Sequence, residues 1–213
     1  MLYFNSLPQI ITPDENGNPL ILTNLMTRAK LLEELKSNPM LFYKYNIQES
    51  DTPEIIADKY YDDPNRFWIV LYSNEILNPI WDWPLTQEQF LQYIDNKYAE
   101  DAANAGKTPF EYTNLTIHAY QKITETTDSV SSETTRNIVS IDEATYNSLI
   151  PTETTYAIGS TPNVTYCTVN ISKNIVTLYD YEYDLNESKR EIKLLNTDYV
   201  SQMEQAFIQV MGR

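Results

Sequence analysis

Residues 43–78, YKYNIQESDTPEIIADKYYDDPNRFWIVLYSNEILN, decide the fold, because strand, cap and helix signals follow one another there at short spacing. Tyr43, Tyr45 and Ile47 alternate with Lys44, Asn46 and Gln48, the period of a half-buried strand. Asp51-Thr52-Pro53 then sets a hydroxyl before a proline, supplying an N-cap oxygen and a first helical residue whose φ is already fixed. In the helix that starts there, Ile56 and Tyr60 share a face at i, i+4, as do Ala57 and Tyr61. Asp63-Pro64 repeats the cap-plus-proline signal for a second helix. Phe67 with Leu71 and Trp68 with Tyr72 form its stripe, and Ser73-Asn74 stops it. The stretch reads as one compact βααβ unit.

Outward from this unit the signals thin. Residues 1–25 mix large apolar side chains with breakers at Pro8, Pro13, Gly17 and Pro19, which suits an extended arm. Leu31, Leu32 and Leu35 make a short amphipathic helix over 27–36, ended by Asn38-Pro39. After the unit comes Asn78-Pro-Ile-Trp81-Asp-Trp83-Pro84-Leu85, a proline-bracketed aromatic loop, and then a capping box, Thr86 with Gln89, for a helix carrying Phe90, Ile94 and Tyr98. Residues 113–183 turn to Thr, Ser, Tyr and β-branched residues, with strands expected over 115–120, 164–169 and 175–183. Tyr179, Tyr181 and Tyr183 fall on one face of the last of these. Residues 124–136 (TETTDSVSSETTR) have neither period and read as a mobile excursion. Ser140 with Glu143 reads as a capping box for a short helix to about Leu149. Asp198 caps a final helix striped by Val200, Met203, Phe207, Val210 and Met211. The whole is α+β: N-terminal arm and short helix (1–42), βααβ unit with aromatic loop (43–85), helix and linker (86–112), and a strand-rich region closing in an amphipathic helix (113–213).

Thirty acidic against 15 basic residues give a formal charge of −15, a field that repels phosphate backbones and anionic lipid. Nucleic acid and membrane are therefore not expected partners. No apolar run is long enough to span a bilayer. The opening MLYFNSLPQIITPDENG lacks a basic n-region and a small-residue cleavage site, so synthesis and retention in a cytoplasm are expected.

Chemistry is sparsely supplied. A nucleophilic triad or a metal site needs His, Cys and carboxylates to converge, and the chain has one histidine, His118, and one cysteine, Cys167. Both sit in strand patterns, where a hydrogen-bonded imidazole and a small core thiol are the simpler readings. Asp62-Asp63 and Glu49 with Asp51 read as turn and helix-start charges. Four glycines, none in a phosphate-cradling loop, give nucleotide binding no support. No catalytic residue, cofactor or metal is expected.

Residues 43–78 resemble a LysM module in their Asp51-Thr52 start, the Ile56-Ala57-x-x-Tyr60 core and the Asn74 that closes the second helix. Ser50 stands where saccharide-binding LysM modules usually carry glycine, and glycine lets backbone approach an N-acetyl group closely. End to end, the chain resembles the baseplate wedge protein 53 family of T-even-like contractile-tailed phages. The likeness is carried by Tyr3-Phe4 with Pro8-Gln-Ile10, Asn24-Leu25 followed by Arg28, Thr52-Pro-Glu-Ile-Ile-Ala57, Trp68 followed by Asn74-Glu-Ile76, Asp82-Trp-Pro-Leu85, Ile117-His-Ala-Tyr120 and Leu185-Asn-Glu-Ser-Lys-Arg190 onward to Leu195.

The resemblance implies a non-enzymatic virion subunit, in several copies around a ring-shaped baseplate, that joins neighbouring wedges late in tail assembly. Its implied partners are other wedge subunits, including helical core-bundle chains and the subunit that initiates the sheath. Tyr3, Phe4, Trp81, Trp83 and Phe207, from the arm, the aromatic loop and the last helix, are the expected partner-binding residues. Arg190 joins them, because a guanidinium in so acidic a chain either pairs internally or forks onto a partner carboxylate. The alternatives are a peptidoglycan-binding module, or a cell-wall hydrolase targeted by it.

Overall fold

A computed structural model of the chain describes residues 3–27, 38, 40–160 and 163–211. It is α+β, in two compact units: Met1–Gln87 with Asn186–Arg213, and Glu88–Leu185. The amphipathic helix read over 27–36 lies, beyond Thr27, outside the described residues.

In the first unit, strand β3 (Phe42–Asn46) leads to helix α1 (Pro53–Tyr61), where the Thr52 hydroxyl accepts the Ile55 N–H at 3.3 Å and Pro53 opens the first turn. The helix ends on Asp62 in the left-handed region at φ 53°. Asp63 then caps a 3-10 turn, Pro64–Arg66, that runs into α2 (Phe67–Ser73). Both expected helices are present, the second one tightened at its start.

The strand that completes this arrangement is not local. β3 pairs antiparallel with β8 (Glu191–Leu195), from Phe42 opposite Leu195 to Asn46 opposite Glu191. The chain directly after α2 cannot make a ladder, because Glu75 turns at φ 55° and the next segment is bracketed by Pro79 and Pro84. Asn74 selects the distant strand instead. Its side chain accepts the Lys193 N–H at 2.7 Å and donates to the Lys193 carbonyl at 2.8 Å, so one amide bonds both backbone groups of a residue 119 positions away.

The N-terminal arm is also corrected. After a 3-10 turn (Tyr3–Ser6), β1 (Gln9–Pro13) and β2 (Pro19–Thr23) form a hairpin, closed by Asp14, whose carboxylate accepts the Asn16 and Asn18 N–H groups, both at 2.8 Å. The final helix, α9 (Val200–Met211), packs its buried face, Val200, Phe207 and Met211, into the same core as Ile56, Ala57, Trp68 and Ile69. It is preceded by a 3-10 turn capped by Asn196, not by Asp198. The short helix α3 (Pro79–Asp82) lies in the aromatic loop.

The second unit begins with α4 (Gln87–Lys97), whose Phe90 and Ile94 are buried, then α5 (Ala99–Asn104) and α6 (Pro109–Leu115), the latter opened by a reciprocal Thr108–Glu111 capping box. Its sheet is antiparallel throughout, in the order β5-β4-β7-β6: β4 (Ile117–Asp128), β5 (Thr134–Ile141), β6 (Thr152–Ser160) and β7 (Asn163–Thr177), with α7 (Glu143–Ser148) between β5 and β6.

Four expectations change here. Residues 124–136 are an ordered hairpin: Thr127 and Thr134 bond hydroxyl to hydroxyl at 3.0 Å, and the Asp128 carboxylate closes the turn on the Val130 and Ser131 N–H groups. The two later strands are one continuous β7, and β6 adds a strand over residues given no reading. Asp142, not Ser140, caps α7. Residues 178–183 are helical, in α8 (Leu178–Glu187), because Thr177 and Asp180 cap each other reciprocally and outweigh the β propensity of the tyrosines. Tyr179 and Tyr183 therefore stack as an i, i+4 pair against Phe90 and not on a sheet face.

Candidate partner-binding surface

The two tryptophans of the aromatic loop part company. Asn78 caps α3 by accepting the Ile80 N–H at 3.1 Å, and the Asp82 carboxylate closes back on the Asn78 N–H at 3.0 Å. Lys189 donates to the Trp81 carbonyl at 2.7 Å. The backbone is fixed, yet Leu77, Ile80 and Trp81 are 68%, 76% and 66% exposed. Trp83 turns inward and donates its indole N–H to the Asp51 carbonyl at 3.0 Å.

Asp51 itself is buried and organises the β3–α1 loop. Its carboxylate accepts the Tyr45 hydroxyl at 2.6 Å, the Lys59 ammonium at 2.6 Å and the Gln48 N–H at 3.0 Å. Burial pushes its pKa up, but these hydrogen bonds together outweigh burial and hold it below the ordinary carboxylate value. Burial first, and then the hydrogen bond to Asp51, push the Tyr45 phenol up to about 12.

Arg190 takes the internal alternative. It bonds Glu187 at 2.7 Å and Glu49 at 3.0 Å, and it also reaches the Ile47 carbonyl at 3.4 Å. Burial lowers its pKa, and the two carboxylates more than restore it. Asn186 ties the same region by accepting the Leu85 N–H at 2.7 Å and donating to the Leu85 carbonyl at 3.1 Å.

Tyr3 lies against Trp68 and Phe207, with ring centroids 5.7 and 5.4 Å away, and Phe207 is buried 4.7 Å from Trp68. Phe4 meets Tyr3 edge-on and is otherwise exposed. Of the six residues chosen from sequence, Phe4 and Trp81 thus present themselves outward. Tyr3, Trp83, Arg190 and Phe207 hold the first unit together.

Sequence reasoning missed the hairpin. Cross-strand partners share a face, so Ile10, Leu20 and Leu22 line one side and Ile11 and Ile21 the other, all exposed, with no charged residue in either strand. The usable signal was the Asp14-Glu-Asn-Gly-Asn18 turn between two apolar runs. Prolines 13 and 19 face each other in a pair flanked by the hydrogen-bonded Asp14–Asn18 end, so neither costs a ladder bond.

In the second unit, Glu182 is buried and accepts Lys97 at 2.6 Å, Tyr98 at 2.7 Å and Tyr93 at 2.9 Å. Burial raises its pKa, and the three donors lower it further than that. Burial and the Glu182 contact push Tyr98 up to about 12. A general acid for glycoside hydrolysis needs a raised carboxyl. Asp51 and Glu182, the buried carboxyls among the described residues, are both shifted the opposite way. His118 sits at a β-bulge stacked 3.8 Å from Tyr181, and Cys167 is buried in β7. Among the described residues no group of His, Cys, Asp or Glu could hold a metal ion, and no helix is long and apolar enough to cross a membrane.

A family model described as base plate wedge protein 53 matches residues 22–210, nearly the whole chain. No curated protein matches it. The chain belongs to this family of phage base plate wedge proteins.

Proposed function

We propose that this base plate wedge protein joins neighbouring wedges of a phage tail, seating its exposed apolar elements on other wedge subunits. The observation that carries this reading is a pair of stiff, greasy projections on a well-packed unit: the uncharged β1–β2 hairpin and the Leu77-Ile80-Trp81 knob on α3. Each Ile or Leu that a partner covers fully contributes about 1.5–3 kcal/mol, and a fixed backbone lets little of that be lost to ordering. The partners proposed are helical core-bundle chains and the sheath-initiating subunit, met by several copies around the ring. The role is structural and non-enzymatic, in the virion tail, after synthesis in the host cytoplasm.

Two features weigh against saccharide binding at the β3–α1 loop. Ser50 carries a side chain where backbone approach is wanted, and the Asp51 carbonyl already accepts the Trp83 indole N–H.

The test is incorporation of the purified chain into wedge complexes that lack it. The intact chain should join them. Trp81→Ala and Ile11→Asp should each reduce incorporation at least about tenfold, with unchanged unfolding midpoints, because both side chains are exposed in the free protein. An intact chain that associates with no tail component, or variants that join as well as it does, would sink the reading.

A further inference from the structure

β6 is an edge strand of the four-stranded sheet, and the register fixes which of its peptide groups point away from β7. Tyr166 directs its backbone toward the β4 side, since its carbonyl accepts the Ser129 N–H at 2.9 Å and its N–H donates to the Ser129 hydroxyl at 3.0 Å. Its neighbour Cys167 therefore faces β6, where it is paired with Tyr156. Thr154, Tyr156 and Ile158 spend their peptide groups inward on β7, which leaves those of Glu153, Thr155 and Ala157 pointing outward. Every described side chain of β6 is exposed.

Edges that must stay unpaired carry lysine, proline or an inward charge. β6 carries none of these, and the outward run at Thr155 and Ala157 is small and uncharged. On the other edge of the sheet the same parity, set by Asp128 N–H donating to the Glu133 carbonyl, puts Arg136 among the outward positions of β5. Tyr156 and Ile158, 45% and 52% exposed, stand on one face of β6 as an apolar row for a neighbour's side chains to extend. Glu153 has no ion pair among the described residues. Glu88–Leu185 holds 14 Asp and Glu against 5 Lys and Arg, so a second copy of the same sheet would be repelled.

We propose that β6 is a strand-addition site that takes an extended, basic and apolar segment of another chain, antiparallel or parallel, with a lysine or arginine beside Glu153. This goes beyond wedge joining and does not depend on it. Backbone pairing supplies the attachment, and charge selects the occupant.

The probe is a soluble peptide alternating valine with threonine and lysine, added to the full-length protein while amide hydrogen exchange is followed. The amides of Glu153, Thr155 and Ala157 should slow about tenfold or more, whereas those of Thr154 and Tyr156, already bonded, should not change. Ala157→Pro removes one outward N–H that the sheet does not use. It should keep the Tyr156 protection and abolish the peptide's effect. Thr155→Lys leaves the backbone intact and should raise the dissociation constant about tenfold by repelling the basic strand. No slowing at millimolar peptide, equal slowing by the glutamate counterpart of the peptide, slowing at β5 instead, or slowing that depends only on protein concentration would each overturn the proposal.

Discussion

The first unit closes around aromatic and aliphatic side chains drawn from both ends of the chain, with Leu7, Trp68, Leu194 and Phe207 in one cluster, whereas the sheet of the second unit leaves β5 and β6 exposed along almost their whole length. Both regions are ordered, but different terms hold them. In the first, area removed from water dominates and the polar groups act as ties between distant segments. In the sheet, ladder bonds and threonine pairs such as Thr155–Thr168 at 3.0 Å do more of the holding, since Ile123, Cys167 and Val176 are the buried hydrophobics along its described strands. Its packed part lies instead among Phe90, Ile94, Tyr98 and the Glu182 cluster. A unit that is finished in itself suits a carrier of projections. A sheet with open faces and edges suits a surface completed by something else.

Replacing the largest contact in the first unit should break the comparison most sharply. Trp68→Ala removes the ring that meets Tyr3, Tyr72 and Phe207 and should cost about 3–5 kcal/mol in urea unfolding. The exchange protection of β4 and β7 should survive at denaturant concentrations that unfold the variant's first unit. Simultaneous loss of both would show that the sheet borrows its stability. Trp68→Phe should cost far less, because the indole N–H has no hydrogen-bond partner to forfeit.

The polar ties come next. Asn74→Ala removes the amide that bonds both the Lys193 N–H and its carbonyl and should cost about 2 kcal/mol, releasing β8 from β3 first. An unchanged exchange rate at Lys193 would contradict this.

Acid should then act on both units by one mechanism. Asp51 and Glu182 have folded pKa values below their unfolded values of about 3.9 and 4.3, so their stabilisation is complete above about pH 5 and is lost as pH falls through the depressed values. Asp51→Asn and Glu182→Gln should each lower stability by about 1–3 kcal/mol at about pH 7 and flatten the acid limb of their own unit. Alkali works in the opposite sense: Tyr45 and Tyr98, raised from 10.0 to about 12, favour the folded state below pH 10.0 and lose that contribution as pH climbs toward about 12.

Much of this was legible in the residues. The Thr52-Pro53 and Asp63-Pro64 starts, the Phe90/Ile94 stripe and the buried face of the last helix each rest on side chains a few positions apart, and local physics decides them. The partner of β3 was not legible, because strand pairing across more than a hundred residues leaves no local period. Nor could the inward turn of Trp83 be told from the outward turn of Trp81, since the deciding acceptor, the Asp51 carbonyl, is backbone. The hairpin over 117–141 was masked by composition: threonine and serine read as polar, and only cross-strand pairing makes them sheet.

The smallest effect separates propensity from capping at the one place where they disagree. Residues 175–183 alternate as a strand should, yet the chain turns helical at Leu178, where the Thr177 hydroxyl accepts the Asp180 N–H at 3.1 Å and the Asp180 carboxylate accepts the Thr177 N–H at 3.2 Å. Thr177→Ala should cost about 1 kcal/mol and fray the first turn of α8, loosening Tyr179 from Phe90 and Phe110. Thr177→Val, which removes the same hydroxyl while favouring extended backbone, should fray it further. Measured by exchange at Tyr181 and Glu182, whose N–H groups depend on that turn, the order wild type, Ala, Val would assign the helix to its cap. Equal protection in all three would assign it to the packing of Tyr179 and Tyr183 on Phe90 instead.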